Sequence, residues 1–252
     1  MKIYSVSFKK NMLKKMSKNR VLRIFTLRNW VTAAIILVFC PFFSGNAEEI
    51  MPLEQIVGNL QRTYEETKDL RADFIQETTT KSVKTTLYEE GIVFFKFPKK
   101  MLWEYKSPEP KKMIINHQKA WLYLPREKTA YFQKADNLFQ STALINFLSG
   151  MGKIKDDFAV AYGVEPRDQS GNYVLKLTPR EKSYNLEKLH ITVDKNNFYI
   201  LQVNFDDVMG NSTLLKFSRI SANSGLQDKM FHFQPPAGTS ILGIIPKNGV
   251  LF

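Results

Sequence analysis

The sequence predicts a mainly β protein with a few helices: an open, incomplete antiparallel β-barrel of about 11 strands capped by helices. Three observations carry this. From Leu70 onward, short segments rich in Phe, Tyr, Val, Ile and Thr follow one another. Turn-forming stretches separate them, as hairpins between antiparallel neighbours require. Two segments break the rhythm with apolar residues spaced three and four apart, the pattern of an amphipathic helix. A long antiparallel meander leaves two bare edges and gains by curling toward closure.

The N-terminus stands apart from this domain. Residues 1–47 hold nine of the 36 basic residues and none of the 24 acidic ones. Trp30 to Phe43 is uncharged and almost wholly apolar, and small, polar Ser44-Gly45-Asn46-Ala47 follows. A basic head, a short apolar run and a small-residue exit read as a signal peptide. The apolar run falls short of the roughly 20 residues a spanning helix needs. Residues 48–252 are then the working domain, with 27 basic against 24 acidic residues, a charge of +3 instead of the whole chain's +12. That balance removes the electrostatic ground for nucleic-acid binding. Cys40, the single cysteine, lies in the leader, so the domain has no thiol for a disulfide or for catalysis.

The first helix is expected over 52–69. Pro52 suits a helix start, and Leu53, Ile56, Val57, Leu60 and Tyr64 form one apolar stripe. Strands are expected near 71–80, 84–97, 101–106, 111–116, 119–124 and 128–133. A second helix is expected over 138–151, with Leu144, Phe147 and Leu148 on its apolar side and Gly150 and Gly152 at its end. Strands resume near 158–164, 172–179, 186–194, 198–206, 212–221 and 230–234. The apolar tail from Ile241 is either an edge strand or loose.

Catalytic constellations are missing from this pattern. His117, His190 and His232 lack partners at metal-ligand spacing. Phosphate-binding loops and nucleophile elbows are absent. The pairs Asp156-Asp157 and Asp206-Asp207 point to opposite faces wherever they lie on strands. Nineteen Phe, ten Tyr and three Trp remain, enough to line a cavity for an apolar ligand. The expectation is a binding protein without cofactor, metal or catalytic residues.

Several segments carry a family resemblance. They are Leu70-Arg71-Ala72-Asp73-Phe74-Ile75-Gln76, Gly91-Ile92-Val93-Phe94-Phe95-Lys96-Phe97-Pro98 and Trp103-Glu104-Tyr105, then Ala120-Trp121-Leu122-Tyr123-Leu124-Pro125. Leu144-Ile145-Asn146-Phe147-Leu148-Ser149-Gly150, Gly210-Asn211-Ser212-Thr213 and Phe231-His232-Phe233-Gln234-Pro235-Pro236 complete the order. Together they resemble the periplasmic lipoprotein carrier family, LolA. The resemblance implies a monomeric carrier in the periplasm. Such a carrier takes lipoproteins from an inner-membrane ABC transporter, shields their acyl chains and hands them to an outer-membrane acceptor. It further implies a lipid-binding cavity lined by Leu53, Ile56 and Leu60 of the first helix, Leu144, Phe147 and Leu148 of a lid helix, and Phe94 and Trp103 of the sheet. Family members carry an arginine before the proline of the second strand, where it latches the lid. Phe97 occupies that position here and lacks arginine's planar fork of donors. Three rival readings stand beside the carrier: a carrier of another lipid, such as a glycolipid, on the same fold, a lipoprotein-sensing module, and a hydrolase.

Overall fold

The computed structural model describes residues 50–136, 153–180 and 188–243. The leader, the expected lid helix with Leu144, Phe147 and Leu148, and the tail after Gly243 lie outside them.

Helix α1 runs Leu53–Glu66, starting one residue later and ending three residues earlier than the expected 52–69. Pro52 lies just outside it, and its carbonyl accepts from the amides of Gln55 and Ile56 in the first turn. Thr67 turns to extended backbone and ends the helix. Its hydroxyl donates back to the Thr63 carbonyl at 2.6 Å. The predicted stripe is the buried one: Ile56, Val57, Leu60 and Tyr64. Each fully buried aliphatic side chain there stabilises the fold by about 1.5–3 kcal/mol.

Among the described residues, twelve strands form one sheet: β1 Asp69–Thr80, β2 Thr85–Lys96, β3 Lys100–Ser107, β4 Lys111–Ile115, β5 Lys119–Leu124, β6 Thr129–Lys134, β7 Phe158–Arg167, β8 Tyr173–Pro179, β9 Lys188–Val193, β10 Ile200–Asp206, β11 Ser212–Ala222 and β12 Ser240–Gly243. A single-turn helix α2, Ile154–Asp157, precedes β7. The spatial order is β12-β6-β5-β4-β3-β2-β1-β11-β10-β9-β8-β7. Two meanders therefore meet where β1 pairs with β11, and the outermost strands, β12 and β7, do not pair. The sheet is open, as expected. All pairings are antiparallel except that of β12 with β6. A bulge between Tyr162 and Arg167 breaks the regular pairing of edge strand β7, a common way to blunt an edge.

Period-two alternation sorts the side chains onto two faces. The inner face, covered by α1, gathers Phe74, Val93, Phe95, Met101, Trp103 and Met113 with Leu175, Leu177, Ile191 and Val203 in one buried cluster. Its members come from both meanders, so the sheet wraps around the helix. The outer face of β2–β6 has its own cluster of Phe94, Leu102, Ile114, Trp121 and Ala130, closed by Phe231.

Phe231 belongs to a strap, residues 223–239, that crosses the outer face between β11 and β12. A strand was expected at 230–234; the chain instead forms a 3-10 helix over Asp228–Phe231 and runs on without strand pairing. Phe233 packs onto Trp121 and Tyr123, and Phe231 is fully buried in the same cluster, rather than either sitting in a ladder. The Asp69 carboxylate pins the start of the strap by accepting hydrogen bonds from the amides of Ser224, Gly225 and Leu226 and the Ser224 hydroxyl.

Candidate functional site

The inner face concentrates aromatic surface beneath and beside α1. Phe74 meets the edges of Trp103 and Tyr105, with ring centroids 4.9 and 5.0 Å apart. Phe95 meets Trp103 at 5.9 Å, and Phe217 of β11 lies 6.2 Å from the same indole. Strand register explains this grouping. Trp103 is directly opposite Val93, and Phe74 is opposite Gly91 on one side and Phe217 on the other. Gly91 is required there: a Cβ at that position lies 2.0 Å from the Glu104 carbonyl oxygen and 2.9 Å from the Phe74 ring.

Polar contacts at both ends fix α1 over this floor. At its N-terminal end, the Tyr162 hydroxyl of β7 donates to the Met51 carbonyl at 2.6 Å, and Glu54 pairs with Lys155 of α2. The Ile154 amide donates to Gln61 Oε1 at 2.9 Å. At the other end, the Ile200 amide donates to the Tyr64 hydroxyl at 3.3 Å, and the hydroxyls of Thr67 and Tyr199 lie 3.0 Å apart. The stripe between these anchors makes apolar contacts.

The structure brings together Ile56, Leu60 and Trp103, all essentially inaccessible to water, in the inner cluster. Leu53, half-buried, packs against the same cluster. Phe94 is different. It lies opposite Leu102 and faces outward, into the cluster under the strap. The residues of β2 on the inner face are Val93 and Phe95. A run of five consecutive apolar residues, Gly91 to Phe95, carries no polar alternation to reveal its phase; both of its sides are buried. Phe97 packs against the inner cluster, stacked on Phe95 and edge-on to Tyr64. An apolar contact with α1 thus stands at the expected latch position. Leu144, Phe147 and Leu148 fall outside the described residues.

Sequence reasoning missed Phe74, Phe95 and Tyr105 as inner-face residues. The signal for Phe74 was present: its period-two relation to Ala72 and Leu70 in an amphipathic strand. Tyr105 follows Trp103 by two residues and shares its face for the same reason.

The ionisable groups on this face are held neutral or paired. Burial pushes the Tyr64 phenol well above its ordinary value. Burial also raises that of Tyr105, and the nearby Glu89 carboxylate adds to the shift. Both phenols therefore remain neutral hydroxyls at physiological pH. Among the described residues, no group of three or more His, Cys, Asp or Glu is placed to hold a metal ion.

Comparison with known proteins identifies the setting. The family model described as outer membrane lipoprotein carrier protein LolA matches residues 65–234. The chain belongs to the LolA family. An outer-membrane lipoprotein carrier protein of Dechloromonas aromatica is 23% identical over 203 residues, covering 79% of this chain and 95% of that protein. One from Pseudomonas paraeruginosa is 25% identical over 199 residues, covering 79% and 90%. A LolA superfamily protein from Nitrosomonas europaea, known from a crystal structure, superposes with a TM-score of 0.41 at 13% identity, covering 73% of this chain and 99% of that one. The LolA match begins at Glu65, so it spans every described strand from β1 to β11 and most of the strap, but not the stripe of α1. Among the described residues no helix is long and apolar enough to cross a membrane.

Proposed function

We propose that this member of the LolA family is a periplasmic carrier that holds the acyl chains of lipoproteins between α1 and the inner face of its open sheet. In this reading it takes its cargo from an inner-membrane ABC transporter and passes it to an outer-membrane acceptor. Residues 1–47 direct its export. It acts as a monomer and catalyses no reaction.

The observation that carries this reading is the aromatic floor of Phe74, Phe95 and Trp103, buried in one cluster with the apolar stripe Ile56, Val57 and Leu60 of α1. A saturated chain of about 16 carbons gains roughly 12 kcal/mol if fully removed from water, at about 0.8 kcal/mol per methylene. Binding that tight prevents release. Loading must therefore displace contacts the empty protein already makes, so that the net gain is a difference between two apolar packings. Helix-to-sheet contacts at Ile56, Leu60 and Tyr64 are the ones available for exchange. An acceptor with a more apolar cavity then draws the lipid onward.

Residues Leu144, Phe147 and Leu148 complete the cavity as a lid in this account. A Phe147→Glu variant is expected to lose most of its ability to extract radiolabelled lipoprotein from inner-membrane vesicles. Extraction at the wild-type level contradicts the lid assignment.

Phe97 favours one second reading. Its packing on Phe95 and Tyr64 replaces a polar latch with an apolar one, which suits a carrier of a different lipid on the same fold. Identification of the lipid that co-purifies with the protein separates the two.

A further inference from the structure

The inner face is not apolar along its whole length. Past Phe74 and Gly91, toward the β1–β2 turn, it becomes polar. Gln76 of β1 lies opposite Glu89 of β2, and Tyr105 of β3 lies opposite Lys111 of β4. Glu89 is only 8% exposed and meets Lys111 Nζ at 2.6 Å; Lys111 is 27% exposed. The same ammonium stands 4.3 Å from the centre of the Tyr105 ring. The Tyr105 hydroxyl donates to Gln76 Oε1 at 3.1 Å, and Gln76 Nε2 donates to Thr78 Oγ1 at 3.2 Å. The Tyr105 ring packs against Phe74, so this network continues directly from the aromatic floor.

Packing alone gives little reason for an ion pair here with its carboxylate buried and its ammonium half-buried. Desolvating two charges offsets much of their attraction, and an apolar pair of like volume serves stability as well or better. Its chemistry has a different use. Lys111 spends one N–H on Glu89 and keeps others; Glu89 keeps a second oxygen. The site thus offers a donor and an acceptor side by side with no net charge.

Resting on the reading of the inner face as an acyl-chain site, we propose that Glu89, Lys111, Tyr105 and Gln76 form a subsite for the uncharged ester linkage of an acylglycerol. Lys111 donates to the ester carbonyl, Glu89 accepts from a glycerol hydroxyl or a neighbouring amide, and the chain runs from there along the floor toward Phe74, Phe95 and Trp103. A phosphate at the same place meets the Glu89 carboxylate, a like charge held on the very ammonium it needs. The subsite therefore selects neutral acylglycerols over phospholipids, a useful property in a compartment bounded by phospholipid membranes.

The test uses the purified protein loaded with diphenylhexatriene, a fluorescent hydrocarbon without polar groups, displaced by dioctanoylglycerol or by dioctanoylphosphatidate. In the wild type, dioctanoylglycerol is expected to displace the probe at a concentration at least tenfold lower than the phosphatidate. Glu89→Gln leaves Lys111 with an uncompensated charge, and the preference is expected to collapse at least tenfold, with the phosphatidate binding more tightly. Lys111→Met is expected to weaken dioctanoylglycerol about tenfold while diphenylhexatriene affinity stays within twofold. An unchanged preference in Glu89→Gln, or loss of diphenylhexatriene by both variants, overturns the subsite and leaves the network a packing element. A wild-type protein that does not hold diphenylhexatriene at all overturns the acyl-chain reading itself, and the subsite falls with it.

Discussion

Phe97 lies edge-on to Tyr64, with ring centroids 6.4 Å apart and planes at 68°, and so ties the residue that follows β2 to α1. Phe97→Ala is expected to lower stability by about 2 kcal/mol, less than the 3–5 kcal/mol of a fully buried Phe because the ring is half-buried. A double-mutant cycle with Tyr64→Leu, read by urea unfolding, is expected to give a coupling of about 0.5–1.5 kcal/mol. Zero coupling means that the ring pair does not hold α1.

Neighbouring phenylalanines on β2 separate stability from binding. Phe94 faces the strap and Phe95 the floor beneath α1. Truncating either to Ala is expected to cost about 3 kcal/mol. Only Phe95→Ala is expected to change diphenylhexatriene affinity, by fivefold or more. Equal effects of the two variants on affinity place the ligand elsewhere.

Acid is expected to loosen the strap. Burial by itself raises the Asp69 carboxyl, but the hydrogen bonds from Ser224, Gly225 and Leu226 outweigh it and hold the group below its ordinary 3.8. Lys96 and Lys100 hold Asp228, also in the strap, at about 2. A carboxyl whose value is depressed by folding contributes stability that is full above its unfolded value and is lost as pH falls through the folded one. The melting temperature should therefore be flat above about pH 5 and drop between about pH 4 and 2. Asp69→Asn is expected to cost about 1–3 kcal/mol at pH 7, and its difference from the wild type should shrink toward pH 2. A difference independent of pH contradicts this account of the strap.

Gly91 leaves no room for a side chain against the Glu104 carbonyl. Gly91→Ala is expected to destabilise by more than 2 kcal/mol, since backbone rather than a flexible side chain must move. Normal thermal stability of that variant contradicts the register of β2 with β3.

Strands β1 to β11 were legible in the sequence because β-formers run between stretches of turn residues. β5, expected over 119–124, occupies Lys119–Leu124. The stripe of α1 was legible because Glu54, Arg62 and Glu65 leave one apolar side. Facing was legible only where polar residues mark the phase. Arg71, Asp73 and Glu77 mark β1, whereas Gly91–Phe95 has no such marker, and Phe94 was assigned to the inner face although it faces outward. The strap was hidden for a related reason. Phe231 and Phe233 alternate as in a strand, but they cover a sheet face that the sequence does not reveal as buried. The pairing of β12 with β6 depends on where the strap ends, which no local signal encodes.

Native mass spectrometry tests the carrier account most directly. The protein is incubated with inner-membrane vesicles that contain a radiolabelled lipoprotein and its ABC transporter, and the soluble fraction is weighed. The account predicts a soluble one-to-one complex of protein and lipoprotein, lost in Phe95→Ala and kept in Phe94→Ala. No lipoprotein in the soluble fraction, with the protein empty or holding another lipid, contradicts it.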